Sequence, residues 1–255
     1  MNSEKTVRIY ISPANHYKRY AIEGHTEKEQ MDLLAPLLVK ELERYEGADV
    51  HLCTVYDSDR SFTGRPEEAK YLGCDVYIAL HTNAGGGTGA CVFYHPDYPL
   101  SEALATETVK ALNAICPIKS NRAKQPAIYA WSKKLWNFGE LRIPASYGMA
   151  PILIEHEFHD NAEGARWIVN SLPQIAEADA EAIARVLGLG KKRIVGDVNG
   201  DGTANSQDAA LILRHDADIA PLDEDGLAAA DVNGDGKVNS QDAAELLRRD
   251  AGLSK

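Results

Sequence analysis

The feature that most constrains this chain is a duplication near its end. The segment GDVNGDGTANSQDAALILRHD, beginning at Gly196, returns as ADVNGDGKVNSQDAAELLRRD from Ala230, with the first aspartates, Asp197 and Asp231, 34 residues apart. Each copy reads D-x-N-x-D-G-x-x-N-x-x-D. This spacing wraps oxygen ligands around a calcium ion, with glycine at the sixth position to allow the sharp turn. A hard cation that prefers about six to eight oxygens can order such a loop, so residues 194–255 are expected to form a small all-helical module built around two ions.

In the first loop the expected ligands are Asp197, Asn199, Asp201, the Thr203 carbonyl, Asn205 and Asp208; in the second they are Asp231, Asn233, Asp235, the Lys237 carbonyl, Asn239 and Asp242. Charge agrees with cation binding. From residue 194 onward there are 13 acidic and 5 basic side chains, a balance of −8, against −3 for the first 193 residues. An acidic segment of this kind argues against nucleic acid as a partner. Ile194-Val195 is too short for an entering helix, whereas an apolar helical run follows each loop. Loop–helix, twice, with 221–230 as the connection, resembles a type I dockerin. That resemblance implies a scaffoldin cohesin as partner, contacted through Ser206, Gln207, Ser240 and Gln241 at loop positions 10 and 11. It also implies secretion and cellulosome association, and otherwise a monomer.

The first 187 residues read differently. Apolar runs at Val7–Ser12, Val50–Tyr56, Val76–His81, Cys91–His95, Ala127–Trp131 and Ile152–Glu155 alternate with helical patterns. This alternation predicts an α/β domain, a mostly parallel twisted sheet flanked by helices. Residues 188–193, with two glycines and Lys191-Lys-Arg193, read as a linker to the module at 194–255. No apolar run is long enough to span a bilayer. No charged-then-apolar leader opens the sequence, so the protein is either cytoplasmic or had its signal peptide removed.

In an open α/β sheet the active site lies beyond the carboxyl ends of the strands. His16 follows the first strand, His81 and Asn83 close the third, and Glu155 ends the last. Thr26-x-x-Glu29 is a capping box, which makes Glu27 the first residue of a helix and leaves its carboxylate free of capping duty. Met31, Leu34, Ala35, Leu38 and Leu42 continue that helix, although Pro36 is expected to kink it or end its first turn. Two histidines and one carboxylate with an open fourth position are the ligand set of a catalytic zinc. Glu155 is left over as a base. The run ILIEHEFHDN (152–161) is not the HExxH helix of metalloproteases, because its histidines are three apart and an apolar strand precedes them. His156, Glu157 and His159 are therefore not expected as ligands, although Glu157 and His159 share a strand face with Glu155 and could meet substrate.

Residues 5–187 resemble a zinc N-acetylmuramoyl-L-alanine amidase of the amidase 3 family. The resemblance rests on ALHTNA (79–84), TEKEQMDLLA (26–35) and PILIEHEFHDN (151–161). It implies one zinc held by His16, Glu27 and His81, Glu155 as the catalytic glutamate, Glu140 of GELR bordering the site, and peptidoglycan as substrate. The family's first motif, Asp-Pro-Gly-His-Gly-Gly, is replaced here by Ser12-Pro-Ala-Asn-His16-Tyr17, which leaves His25 as the alternative first ligand. Two other readings stay open: a zinc peptidase acting on stem peptides, and an inactive module that binds cell wall. Cys53, Cys74, Cys91 and Cys116 lack metal-type spacing and read as free core thiols. GGGTG (85–89) reads as a turn, and Trp131, Trp136 and Trp167 are too scattered to form a sugar platform.

Overall fold

The computed structural model describes residues 6–56, 61–128, 134 and 138–253, with the side chains of 61 and 62 left aside. The chain divides between Gly190 and Lys191 into two compact units. The boundary falls inside the expected linker because Leu189 still packs on the core of the first unit and the Gly190 carbonyl accepts from the Glu46 amide.

The first unit is built on six strands: β1 (Val7–Pro13), β2 (Ala48–Leu52), β3 (Val76–Asn83), β4 (Cys91–Tyr94), β5 (Lys124–Pro126) and β6 (Ala150–Phe158). Their order is β2-β1-β3-β6-β4-β5. Every pairing is parallel except β4 with β6, so the expected mostly parallel sheet carries one reversed edge. The central strands are buried on both faces, hence their nearly unbroken apolar runs. On one face Ile9, Ile11, Ile78, Leu80, Ile152 and Ile154 meet helices α1 (Glu27–Leu42), α3 (Pro99–Ile115) and α6 (Leu172–Leu187). On the other, Tyr10, Tyr77, Ala79, Cys91, Phe93 and Leu153 form a smaller core with Leu141 of α4 (Gly139–Ser146). Helices α2 (Ser61–Tyr71) and α5 (Ala162–Asn170) complete the unit.

One local expectation changes. The strand sought at 127–131 lies earlier, at Lys124–Pro126; 129–131 fall outside the described residues. β5 is an edge strand bonded on one side only, which tolerates Pro126 and polar side chains and so leaves little apolar signal. Pro36 neither ends nor divides α1, because it sits on the exposed side, where water can satisfy the carbonyl its ring deprives of a donor. Trp131 and Trp136 lie outside the described residues, and Trp167 packs against the larger core. All four cysteines are buried free thiols.

The second unit holds α7 (Ser206–Asp216), α8 (Glu224–Ala230) and α9 (Ser240–Asp250). α8 stands within the expected connection; Asp223 caps it and Ala229 and Ala230 anchor it in the core. That core is small: Val198, Ile212 and Ala209 from one repeat face Val232, Leu246 and Ala243 from the other, with Ala230 between. No helix among the described residues is long and apolar enough to cross a membrane.

Candidate active site

The carboxyl ends of β1, β3 and β6 lie side by side, and the expected residues gather there. His81 pairs in register with Glu155 across β3 and β6, so both side chains rise from the same face of the sheet. Glu27, on the first turn of α1, reaches over the strand ends: its Oε1 lies 3.1 Å from His81 Nδ1 and accepts from the Thr82 amide at 3.1 Å. The capping box is formed as expected, with Thr26 and Glu29 bonded reciprocally, which leaves Glu27 for this contact. His16, in the loop after β1, brings its ring to 5.3 Å from that of His81. One ligand atom from each of His16, Glu27 and His81 lies within 4.8 Å of the other two. His25 stands apart, with Nδ1 against the side-chain Nε2 of Gln30.

Glu140 is closer to the centre than a bordering residue. Its Oε2 lies 2.8 Å from His81 Nε2, and its Oε1 accepts from Ser12 Oγ at 2.7 Å. Behind Ser12 the buried Arg65 donates to Ser12 Oγ and to the Pro13 and Val55 carbonyls. The Glu140–His81 contact follows the pattern of a carboxylate that orients the ring of a metal-binding histidine. Asn83 is half-buried and its side-chain oxygen accepts from the Ala84 amide.

Electrostatics set these groups apart. Burial opposes charge on His81, yet Glu140 and Glu27 together hold it well above the usual histidine range. Burial likewise pushes Glu27 and Glu140 up, but their bonds to His81 leave both below the ordinary carboxylate value. His16 is lowered by burial and by the neighbouring His81. Glu155 alone moves the other way: burial raises it to about 7, with His81 pulling down and Glu27 pushing up. Its Oε2 is buried without a hydrogen-bond partner. A carboxyl raised to near neutrality beside a cluster of ligand-type side chains is a functional-site signature.

The remaining polar residues of EHEFHDN support this edge. His156 Nδ1 bonds the His81 carbonyl, and Glu157 accepts from the Gly89 amide. His159 stacks on Tyr20 and bonds the Thr82 carbonyl; Asp160 accepts from the Gly85 and Gly86 amides. Asn161 caps α5. Glu157 and His159 are thus buried and engaged with the protein itself. The GGGTG turn is pinned to β6 by the Glu157 bond and to the turn after it by the Asp160 bonds, and a Cβ at Gly87 would lie 2.2 Å from Phe158. Sequence reasoning did not find Ser12, Arg65 or Asp179, since nothing in their local pattern marks them.

In the second unit each loop is organised by its own acidic side chains. Asp208 and Asp242 are fully buried; each accepts three backbone amides, from Val198, Asn199 and Asn205 or from Val232, Asn233 and Asn239. Asp197 accepts from Asp201 and Gly202, and Asp231 from Asp235 and Gly236. Gly202 and Gly236 carry the positive φ expected at position 6. Asn205 and Asn239 are also helix caps, and Asp208 and Asp242 complete the capping boxes. Ser206, Gln207, Ser240 and Gln241 are exposed on the first turns of α7 and α9.

Known proteins agree with both units. The profile of the N-acetylmuramoyl-L-alanine amidase family matches residues 11–185, and that of the dockerin type I domain matches 195–249. The N-acetylmuramoyl-L-alanine amidase CwlM of Bacillus licheniformis is 28% identical over 192 residues, covering 72% of this chain and 70% of that protein. A sporulation-specific N-acetylmuramoyl-L-alanine amidase of Bacillus subtilis is 25% identical over 190 residues, with 72% of this chain and 70% of that one covered. Among solved structures, an N-acetylmuramoyl-L-alanine amidase from Clostridium difficile 630 shares the fold with a TM-score of 0.59 at 18% identity, covering 72% of this chain and 98% of its own. With the amidase profile spanning both strand-end motifs and the last strand, the chain belongs to the N-acetylmuramoyl-L-alanine amidase family and carries a dockerin type I domain after it.

Proposed function

We propose that this protein is a secreted, scaffold-tethered peptidoglycan hydrolase that cleaves the amide between the lactyl group of N-acetylmuramic acid and L-alanine. The observation that carries the reading is the donor cluster of His16, Glu27 and His81, with ligand atoms within 4.8 Å, beside the half-buried Glu155, whose buried Oε2 has no hydrogen-bond partner. Two imidazoles and one carboxylate fit a single zinc with a position left open. When bound, zinc supplies Lewis-acid polarisation of the scissile carbonyl and lowers the pKa of water to about 7.

The chain's own groups do the rest. Glu155, ionised, takes a proton from water as its oxygen attacks the lactyl carbonyl carbon, then returns that proton to the L-alanine nitrogen as the C–N bond breaks. Such general-base work contributes about 10²–10⁴-fold. Glu140 holds His81 through Nε2, and Ser12 with Arg65 holds Glu140. The replaced first motif keeps a histidine at 16 within reach of the cluster, which favours an active enzyme over a wall-binding relic. In the second unit, two calcium ions ordering the loops would present Ser206, Gln207, Ser240 and Gln241 to a cohesin, placing the enzyme outside the cell on a cellulosome.

Digestion of purified peptidoglycan, read by mass spectrometry, tests the reaction. Intact stem peptides released from intact glycan strands are expected. Shortened stem peptides would make the domain a peptidase, and no release by the zinc-loaded protein would leave it a binding module.

A further inference from the structure

The peptide between His81 and Thr82 is held from outside the strand ladder. β3 and β6 lose register between His81 and Asn83, and side chains bond the backbone there. Glu27 accepts from the Thr82 amide, His159 Nδ1 lies 3.0 Å from the Thr82 carbonyl, and His156 Nδ1 lies 2.9 Å from the His81 carbonyl. His156 points away from Glu155, to the opposite face of the sheet, where its Nε2 lies 2.8 Å from Asp179 Oδ2 on α6. Both His156 and Asp179 are fully buried. A carbonyl only accepts, so Nδ1 carries a hydrogen and donates it to His81, whichever of the two atoms facing each other at Asp179 holds the second proton.

Burying this pair is costly, and a well-packed apolar pair commonly serves stability as well or better. Nor does either group face the open strand ends. What the pair does is fix one end of the peptide whose other end is bonded to Glu27, between two of the proposed ligands. We propose that the Asp179–His156 pair is a positioning device. It sets the His81–Thr82 peptide, and with it the separation of the His81 and Glu27 donor atoms, and thereby metal affinity, from the far side of the sheet. This rests on the reading of His81 and Glu27 as metal ligands. Outer groups that orient a ligand typically change metal affinity by about 10–100-fold when removed.

Removing His156 alone would strand a buried carboxylate and endanger folding, so the comparison is between two double variants of the full chain. His156→Leu/Asp179→Ala removes the donor and its buried carboxyl partner together. His156→Asn/Asp179→Ala has nearly the same side-chain shape but restores an N–H at the position of Nδ1. Zinc affinity is measured by chelator competition, and independently from the zinc-induced rise in the unfolding midpoint of the first unit. That rise reports affinity whatever the starting stability. The leucine variant is expected to bind zinc about 10–100-fold more weakly than wild type, and the asparagine variant within a few-fold of it. Equal affinity in both variants and wild type would overturn the proposal and leave the pair purely structural; so would equal weakening in both. Glu27→Ala serves as the separate check on the ligand reading: if it binds zinc like wild type, that reading fails and this proposal falls with it.

Discussion

The two kinds of metal centre proposed for this chain are built on opposite plans. The ligands of each calcium loop fall within twelve consecutive residues, and their carboxylates already shape the loop by accepting backbone amides. The proposed zinc ligands are spread from His16 to His81, with the base at Glu155 and the orienting Glu140 from another helix. They meet only because a sheet with apolar cores on both faces brings three strand ends together. One site is local and supported by a core of seven residues, five of them alanine or valine; the other is global and supported by most of a domain. In the first the ion should help make the fold, and in the second the fold should make the ion site. Metal binding is folding free energy only where no site exists beforehand.

The largest expected effect breaks the comparison directly. Chelation should unfold the second unit and leave the first folded, since Asp197, Asp201 and Asp208, and their counterparts, then repel one another around a minimal core. Differential scanning calorimetry with and without EDTA checks this: one transition should vanish and one persist. Loss of both together would mean that the amidase unit also depends on its metal to fold.

Next in size is the base. Glu155→Gln keeps shape and should keep zinc and fold, while hydrolysis falls by about 10²–10⁴-fold. The pH profile follows from the same residue. Only the ionised carboxylate accepts a proton, so activity should fall as pH drops through its pKa. Burial holds that value up to about 7, and a cation nearby draws it back toward the ordinary carboxylate range. The acid limb of kcat/KM should therefore lie below 7 in wild type, and should be missing from the residual activity of Glu155→Gln. A profile unchanged by the substitution would assign the base elsewhere.

What the sequence disclosed divides along the same line. Both loops and their glycines could be read directly, because every interaction spans a few residues. His16, Glu27, His81 and Glu155 were also legible, since strand ends and a capping box locate them without knowledge of packing. Their supports were not. Arg65 behind Ser12 and Asp179 behind His156 are joined to their partners by tertiary contacts alone, 53 and 23 residues apart. β5 escaped because an edge strand needs no apolar pattern, and α8 because it is short and held mainly by a cap and two alanines.

The ligand assignment gives a more graded test of the dispersed site. Alanine at His81, Glu27 or His16 should release zinc on dialysis, measured by elemental analysis, because each removes one of three protein donors. His25→Ala should retain it, since that ring faces Gln30 instead. Retention by His16→Ala with loss by His25→Ala would exchange the two histidines.

The smallest expected effect sharpens the other side. The two repeats share NSQDAA without change at 205–210 and 239–244, and they cap each other: the Ser206 amide bonds Asp250, and the Ser240 amide bonds Asp216. These reciprocal bonds present the two serine–glutamine pairs in like settings on α7 and α9. If a cohesin can take either face, Ser206→Ala with Gln207→Ala removes one of two equal modes. The statistical cost is about RT ln 2, roughly 0.4 kcal/mol, or twofold in Kd. The capping bonds use backbone amides and survive these substitutions, so the fold of the module should not confound the measurement. Adding Ser240→Ala and Gln241→Ala should abolish binding, because no intact face remains. Isothermal titration of the calcium-loaded chain with its cohesin decides. A large loss from the first pair alone would show that the duplicated module uses one face only, and that its symmetry serves folding rather than recognition.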